Sequence, residues 1–373
     1  MKSLKLNGLS RLLAFVLIAV ILISVISIAV GGKQSTPDNE PDSGDIGAPT
    51  DETDENTDGT QENENQDDAP PLEDTVVSEQ KFYSIATGLE VSEADYNRSP
   101  IAFLVDSTAP LYGVSGADIT VEIPLENGKT RLLVYHTKTD KLWKIGSLAA
   151  SRDYVSSFAG LLGGRIIAYG NDDIISQSVN GQDNGIIDIS KLSGTYNIEN
   201  TKYIYTSTGR IKEALNIIGD TTENGYNKMP FIFSENSVDG TASAKAIILP
   251  YSDNSETNLY YSEASEKYTL YKSSAKVIDK LNGGDVSYKN VFILFANTTT
   301  YESADGKAMT IDTYAGGSGY YASNGTSTEI NWRLSDDGSL LFTTLSGEIL
   351  NVNAGNSYIS YYKASVSSEV IIK

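Results

Sequence analysis

Residues 119–135 read ITVEIPLENGKTRLLVY, two runs of alternating apolar and polar residues on either side of Asn127-Gly128. Alternation at period two marks strands with one face turned to a core. Asn-Gly supplies the positive φ angles of a type I′ turn, so the stretch predicts a β-hairpin closed by a two-residue loop. That register pairs Glu126 with Lys129 and Glu122 with Leu133. It sets Glu122 diagonal to Arg131 on one face, with Val121, Ile123, Leu132 and Val134 on the other.

Toward the C-terminus the same turn chemistry recurs. Asp305-Gly306 and Asn324-Gly325 are candidate turns among strands expected near 291–300, 309–314, 319–322 and 328–334. Helices are fewer. Ser147 caps an expected helix carrying Leu148, Ser151, Val155, Phe158 and Leu162, stopped by Gly163-Gly164, and 166–169 follows as a strand. A second helix starts near Thr208, with Ile211, Leu215 and Ile218 on one face and Gly219 as terminator. The fold class expected is α+β: mixed sheets with antiparallel hairpins and a few helices, layered as a sandwich in two parts, 80–225 and a β-rich 226–373.

The N-terminus has a different composition. Lys2, Lys5 and Arg11 precede an uncharged apolar run over 12–30, interrupted only by Ser24 and Ser27. A bilayer core of about 30 Å needs roughly 20 helical residues, so the run predicts a transmembrane signal anchor. Cleavage near Gly31-Gly32 is the alternative. The basic flank places residues 1–11 in the cytoplasm and the rest outside, a single-pass cell-membrane protein with an extracytoplasmic C-terminal part. Residues 31–79 read as an acidic disordered linker, with sixteen Asp and Glu between 38 and 79 and no Lys or Arg there.

Most of the net charge of -21 therefore sits in the linker, and nucleic acid is not an expected partner. The chain has no Cys, which excludes disulfides and lipid attachment through an N-terminal Cys. No metal site or cofactor is expected.

Several short patterns resemble catalytic or metal-binding motifs. The single His, His136, falls at the expected exposed end of a hairpin strand, a poor place for a general base. Ser273-Ser274-Ala275-Lys276 fits S-x-x-K and Ser252-Asp253-Asn254 fits S-D-N, but the order is reversed from that of penicillin-recognising enzymes and K-T-G is missing. Asp54, Asn56, Asp58 and Gly59 match half of a calcium loop whose closing Glu is replaced by Asn65. Gly128-Lys129-Thr130 and the glycines at 316–319 read as turn chemistry. The 23 tyrosines suit strands and also stacking on sugar or peptide ligands.

From Arg98 onward a series of islands appears in fixed order. They are Arg98-Ser99-Pro100-Ile101-Ala102 through Asp106, Ser115-Gly116-Ala117-Asp118, Glu122, Thr130-Arg131, Lys144-Ile145-Gly146, Ser151-Arg152-Asp153-Tyr154 and Tyr205-Thr206-Ser207. Gly317-Ser318-Gly319-Tyr320-Tyr321, Glu329-Ile330-Asn331-Trp332 and Asn353-Ala354-Gly355-Asn356 follow. Together they resemble the YerB-like lipoproteins, a bacterial family of unknown function, over nearly all of 85–365. The resemblance implies a mixed α/β sandwich in two parts outside the membrane. Where the family's G-P-V-R-S-A-R-P-Y stretch carries two arginines, this chain keeps Arg152 and has Ala149. Family histidines near Tyr169 and Lys202 are absent, and a membrane helix stands in for the lipid-bearing Cys.

The leading expectation is a non-catalytic binding or scaffold module at the cell envelope, acting on wall polymer or an envelope protein. The rival is a hydrolase or transferase with Asp106, Glu122, Arg131 and Arg152 in one cleft. An ordinary solvated sheet face is the simpler reading of the Glu122 and Arg131 charges.

Overall fold

A computed structural model describes residues 80–152, 154–170, 185–191, 202–217, 231–303, 306–336 and 339–373. The anchor expected at 12–30, the linker and the calcium-loop pattern lie outside them, as does the boundary at 225/226. Among the described residues no helix is long and apolar enough to cross a membrane. Val76–Lys373 forms one compact unit.

The principal elements are β1 (Ile101–Asp106), β2 (Ile119–Pro124), β3 (Thr130–His136), β4 (Ile145–Leu148), α1 (Val155–Leu162), β5 (Arg165–Ala168) and α2 (Thr208–Ile217). After these come β6 (Ala246–Ser252), β7 (Ser255–Ser262), β8 (Lys267–Lys272), β9 (Asn290–Ala296), β10 (Gly317–Ser323), β11 (Thr326–Leu334) and β12 (Ser357–Lys363). The architecture is a mostly β sandwich with few helices. A 13-stranded mixed sheet runs through β11-β10-β9-β12-β2-β3-β1-β4, and β6, β7 and β8 centre a second sheet of six strands.

Strand β12 lies between β9 and β2 and is parallel to both, so one sheet draws on both expected parts of the chain. Strands this apolar survive only when covered on both faces, and both faces are covered. On one side Val155, Phe158, Leu161 and Leu162 of α1 pack on Val121, Leu133, Phe292 and Tyr361. On the other, Ile247, Leu259 and Leu270 of the six-stranded sheet and Ile211 and Leu215 of α2 join Phe103, Leu132, Val134, Ile293 and Tyr358. Each such side chain contributes about 1.5–3 kcal/mol when fully buried.

Three local expectations change. The first hairpin closes with a three-residue loop, 126–128, with Asn127 at φ 62 and Gly128 at φ 70, and the Leu125 amide donates to the Lys129 carbonyl at 2.8 Å. The extra residue slips the register by one, pairing Glu122 with Leu132 and Ile123 with Arg131. A one-residue slip exchanges faces, so Glu122 and Arg131 point to opposite sides of the sheet. The longer loop lets Gly128 press on β6, where a Cβ would come within 2.5 Å of Ser252. The helix expected from Ser147 begins only at Val155, because Ile145–Leu148 instead pairs with Ile204–Thr206. His136 is buried, not exposed.

Asn324-Gly325 does form the expected two-residue turn, with φ 53 and 73 joining β10 to β11, and the Gly325 carbonyl accepts from the Ala244 amide. A Cβ on Gly325 would sit 2.8 Å from the Tyr261 ring. Gly325→Ala is therefore expected to lower stability by about 1–3 kcal/mol, read from the shift in urea midpoint at constant slope. Asp305 of the other expected turn lies outside the described residues; Gly306 itself pairs with Ser303 as the first residue of a strand, Gly306–Ile311, that runs antiparallel to Thr298–Ser303.

Candidate functional site

Four charged residues were candidates for a shared cleft, and the structure does not gather them. Asp106 and Arg131 are opposite one another on β1 and β3. Asp106 closes the end of its strand by accepting from the Thr108 amide and hydroxyl at 2.9 and 2.7 Å. Arg131 donates to the Ala150 carbonyl, and Arg152 pairs with Glu126. Glu122 projects from the other face, between the two sheets.

There Glu122 is 0% exposed and its carboxylate is saturated. One oxygen accepts from Lys272 and from the Thr257 hydroxyl at 2.8 Å; the other accepts from Tyr251 at 2.8 Å and from Tyr358. The Lys272 ammonium directs its remaining protons to Thr257 at 2.8 Å and Thr130 at 3.1 Å. Burial by itself would raise the Glu122 carboxyl. The adjacent Lys272 charge and the hydrogen bonds from Lys272, Tyr358 and Thr257 outweigh it and hold the group below the usual carboxylate range. Burial, then the Glu122 charge, push the Tyr251 and Tyr358 hydroxyls well above the phenol range, so both remain donors. A carboxylate has about four acceptor positions and an ammonium three protons. All are occupied internally, so this network clamps the sheets together and leaves no group to move a proton on a substrate.

An open site lies at the other end of β2. A groove of about 560 Å³ is lined by residues 115–118, by Thr137 and Lys138, by residues 265–267 and Lys289, by 354–356, and by Glu90 and Asp95 from the first described turns. Two islands of the YerB-like resemblance, Ser115-Gly116-Ala117-Asp118 and the end of Asn353-Ala354-Gly355-Asn356, meet here. Packing brings them together, since the Ser357 amide donates to the Asp118 carbonyl at 3.0 Å and the Gly355 amide to Thr87 at 2.7 Å.

Asp279, also 0% exposed, braces the loop that forms one wall. Its carboxylate accepts from the Gly113 amide at 2.8 Å, the Ser115 amide and hydroxyl at 2.9 and 2.7 Å, and the Leu281 amide at 2.8 Å. The Ser115 hydroxyl donates to Asp279 and so serves as part of this brace. The S-x-x-K and S-D-N patterns are hairpin turns: Ser273 has φ 51 and Lys276 pairs with Asp285 at 3.0 Å. Among the described residues no cluster of His, Asp and Glu is placed to hold a metal.

His136 is 2% exposed and sits across from Asp118 at the start of the hairpin. Burial holds its imidazole below the usual range, against the pull of Asp118, the Gly113 and Gly116 backbone and Asp279. The unfolded chain takes up this proton near the ordinary 6.5, and the folded chain only at lower pH. Stability is therefore full above that value and falls as pH drops below it, by at most about 1.4 kcal/mol per pH unit. Urea midpoints should drop between pH 7.5 and 5.5 in the wild type and much less in His136→Gln; equal slopes would contradict the assignment.

Sequence reasoning missed Lys272, Tyr251, Tyr358 and Asp279. Lys272 had a legible signal, since it continues the inward phase of Tyr268 and Leu270 along β8. A charge at a core phase demands a partner, and Glu122, on β2 between Val121 and Ile123, was the available one. Asp279 sits in a loop and had none.

Comparison with known proteins gives the lineage. Residues 86–225 match the protein of unknown function DUF3048 N-terminal domain, and residues 247–359 match the corresponding C-terminal domain. The chain belongs to this family. Its fold is similar to the crystal structure of the YerB protein from Bacillus subtilis, at 21% identity and a TM-score of 0.68, covering 79% of this chain and 100% of that one. At that identity the likeness establishes a shared fold. No curated protein matches. The YerB-like resemblance is thereby confirmed, along with its division into N- and C-terminal family segments.

Proposed function

We propose that this YerB-like protein is a membrane-tethered, extracytoplasmic binding module that captures its ligand in the groove beside Asp118 and performs no chemistry of its own. One observation carries the reading: a groove assembled from distant segments and braced by a buried carboxylate is open and polar, whereas the Glu122–Lys272 pair is saturated from within. The apolar run at 12–30 would hold the chain in the membrane and the acidic stretch would space the domain from it. Wall polymer or an envelope protein is the partner this arrangement suits.

Gly116 supplies the test, because it lines the groove and a Cβ built there meets no atom within 4 Å, so a larger side chain has open space to enter. Full-length protein in detergent, incubated with insoluble cell-wall material and with membrane extract, should be retained by one of them, and Gly116→Trp should weaken retention at least about tenfold. Equal retention of both proteins would refute a groove-based function. Protection of the C-terminus from protease added to intact protoplasts would refute the extracytoplasmic placement.

A further inference from the structure

The charges around the groove are unequally satisfied. Glu90 pairs with Lys81 at 2.9 Å, Asp95 with Lys138 at 2.7 Å and Arg98 at 3.4 Å, and Glu266 with Lys289 at 3.1 Å. These pairs neutralise one another and ask nothing of a ligand. Two lining groups remain. Asp118 uses one carboxylate oxygen to accept from the Thr137 amide at 2.7 Å, and its other oxygen has no partner among the described residues. Lys267 makes no ion pair there either.

We infer that the groove takes a ligand carrying both an ammonium and a carboxylate, an amino acid or short peptide with free ends, whose ammonium faces Asp118 and whose carboxylate faces Lys267. The inference rests on the groove reading above and adds the ligand's chemistry. A simple cation entering the groove would answer Asp118 and leave Lys267 desolvated, and a simple anion would do the reverse. A neutral polyol would strip water from both without returning a charge, which is the costly case. A zwitterion answers both with charge-assisted hydrogen bonds. Buried His136, neutral at pH 7, does not discharge Asp118 from beneath. The volume, about 560 Å³, falls in the range of small-molecule sites and admits a ligand of dipeptide size.

Calorimetric titration of the full-length protein in detergent tests this with four probes: L-alanyl-L-alanine, its N-acetyl form, its C-terminal amide, and tri-N-acetylglucosamine. The free dipeptide should bind at least about tenfold more tightly than either capped form. Asp118→Asn should abolish the difference between the free and acetylated peptides, and Lys267→Met the difference between the free peptide and the amide, each leaving the other difference in place. Capped and free peptides of equal affinity would overturn the inference on the wild-type protein alone. Binding of the sugar alone, lost in Gly116→Trp, would overturn it and leave the groove reading standing. No groove-dependent binding of any probe would count against both.

Discussion

Glu122→Ala is expected to lower the unfolding free energy by about 3–5 kcal/mol, the range for removing one partner of a buried ion pair. The loss is large because it is not confined to one contact. Lys272 would keep its charge beneath the second sheet with only hydroxyls beside it, and Tyr251, Tyr358 and Thr257 would each lose their acceptor. Glu122→Met combined with Lys272→Met should recover part of the loss, because it removes the stranded charge, and a double-mutant cycle would show coupling between the two positions. Additive effects would mean that the clamp is not a unit. Acid has the same target. The folded-state carboxyl lies below its ordinary 4.5, so its contribution is complete above that value and disappears as pH falls through the folded value.

The second large effect is expected at Asp279. Asp279→Ala removes the acceptor of three amides and one hydroxyl at once, and hydrogen bonds to a charged group are worth about 1.5–3 kcal/mol each. Partial rescue by water at the rim brings the expected net loss to at least about 3 kcal/mol. Asp279→Asn should lose less, since one oxygen still serves Gly113 and Leu281 while its amide opposes the Ser115 donors. Hydrogen exchange separates this role from general destabilisation: the 113–117 amides should exchange much faster in Asp279→Ala while those of β9 change only with global stability. Unchanged exchange in 113–117 would show that the wall of the groove holds itself.

How far the sequence foretold the molecule depends on the range of the interaction concerned. Strand alternation and Asn324-Gly325 are local signals, and they located hairpins correctly. The 126–128 loop carries the same dipeptide but is one residue longer and packs against Ser252, over a hundred positions away, and that single residue moved Glu122 from a shared face with Arg131 to the space between the sheets. Ile145–Leu148 had helical spacing with the residues after it, yet pairing with Ile204–Thr206 took it into the sheet. His136 looked exposed because it ends a strand; loop 113–116 and Asp279, which cover it, come from elsewhere in the chain. Of the candidate site residues, Glu122 was expected on one face with Arg131 and lies instead between the sheets. Asp118 and Gly116 were visible only as parts of a resemblance.

The position of β12 bears on how the polypeptide is made. Among the long strands it is the last to leave the ribosome, yet it is the central plank on which β2 and β9 both hang. A nascent chain that stops short of residue 357 carries two raw strand borders with nothing between them, an invitation to sticky, off-pathway association. The seven residues of β12 therefore hold the two halves of the large sheet together, and a chain lacking them would be debris for proteases instead of a working half-molecule.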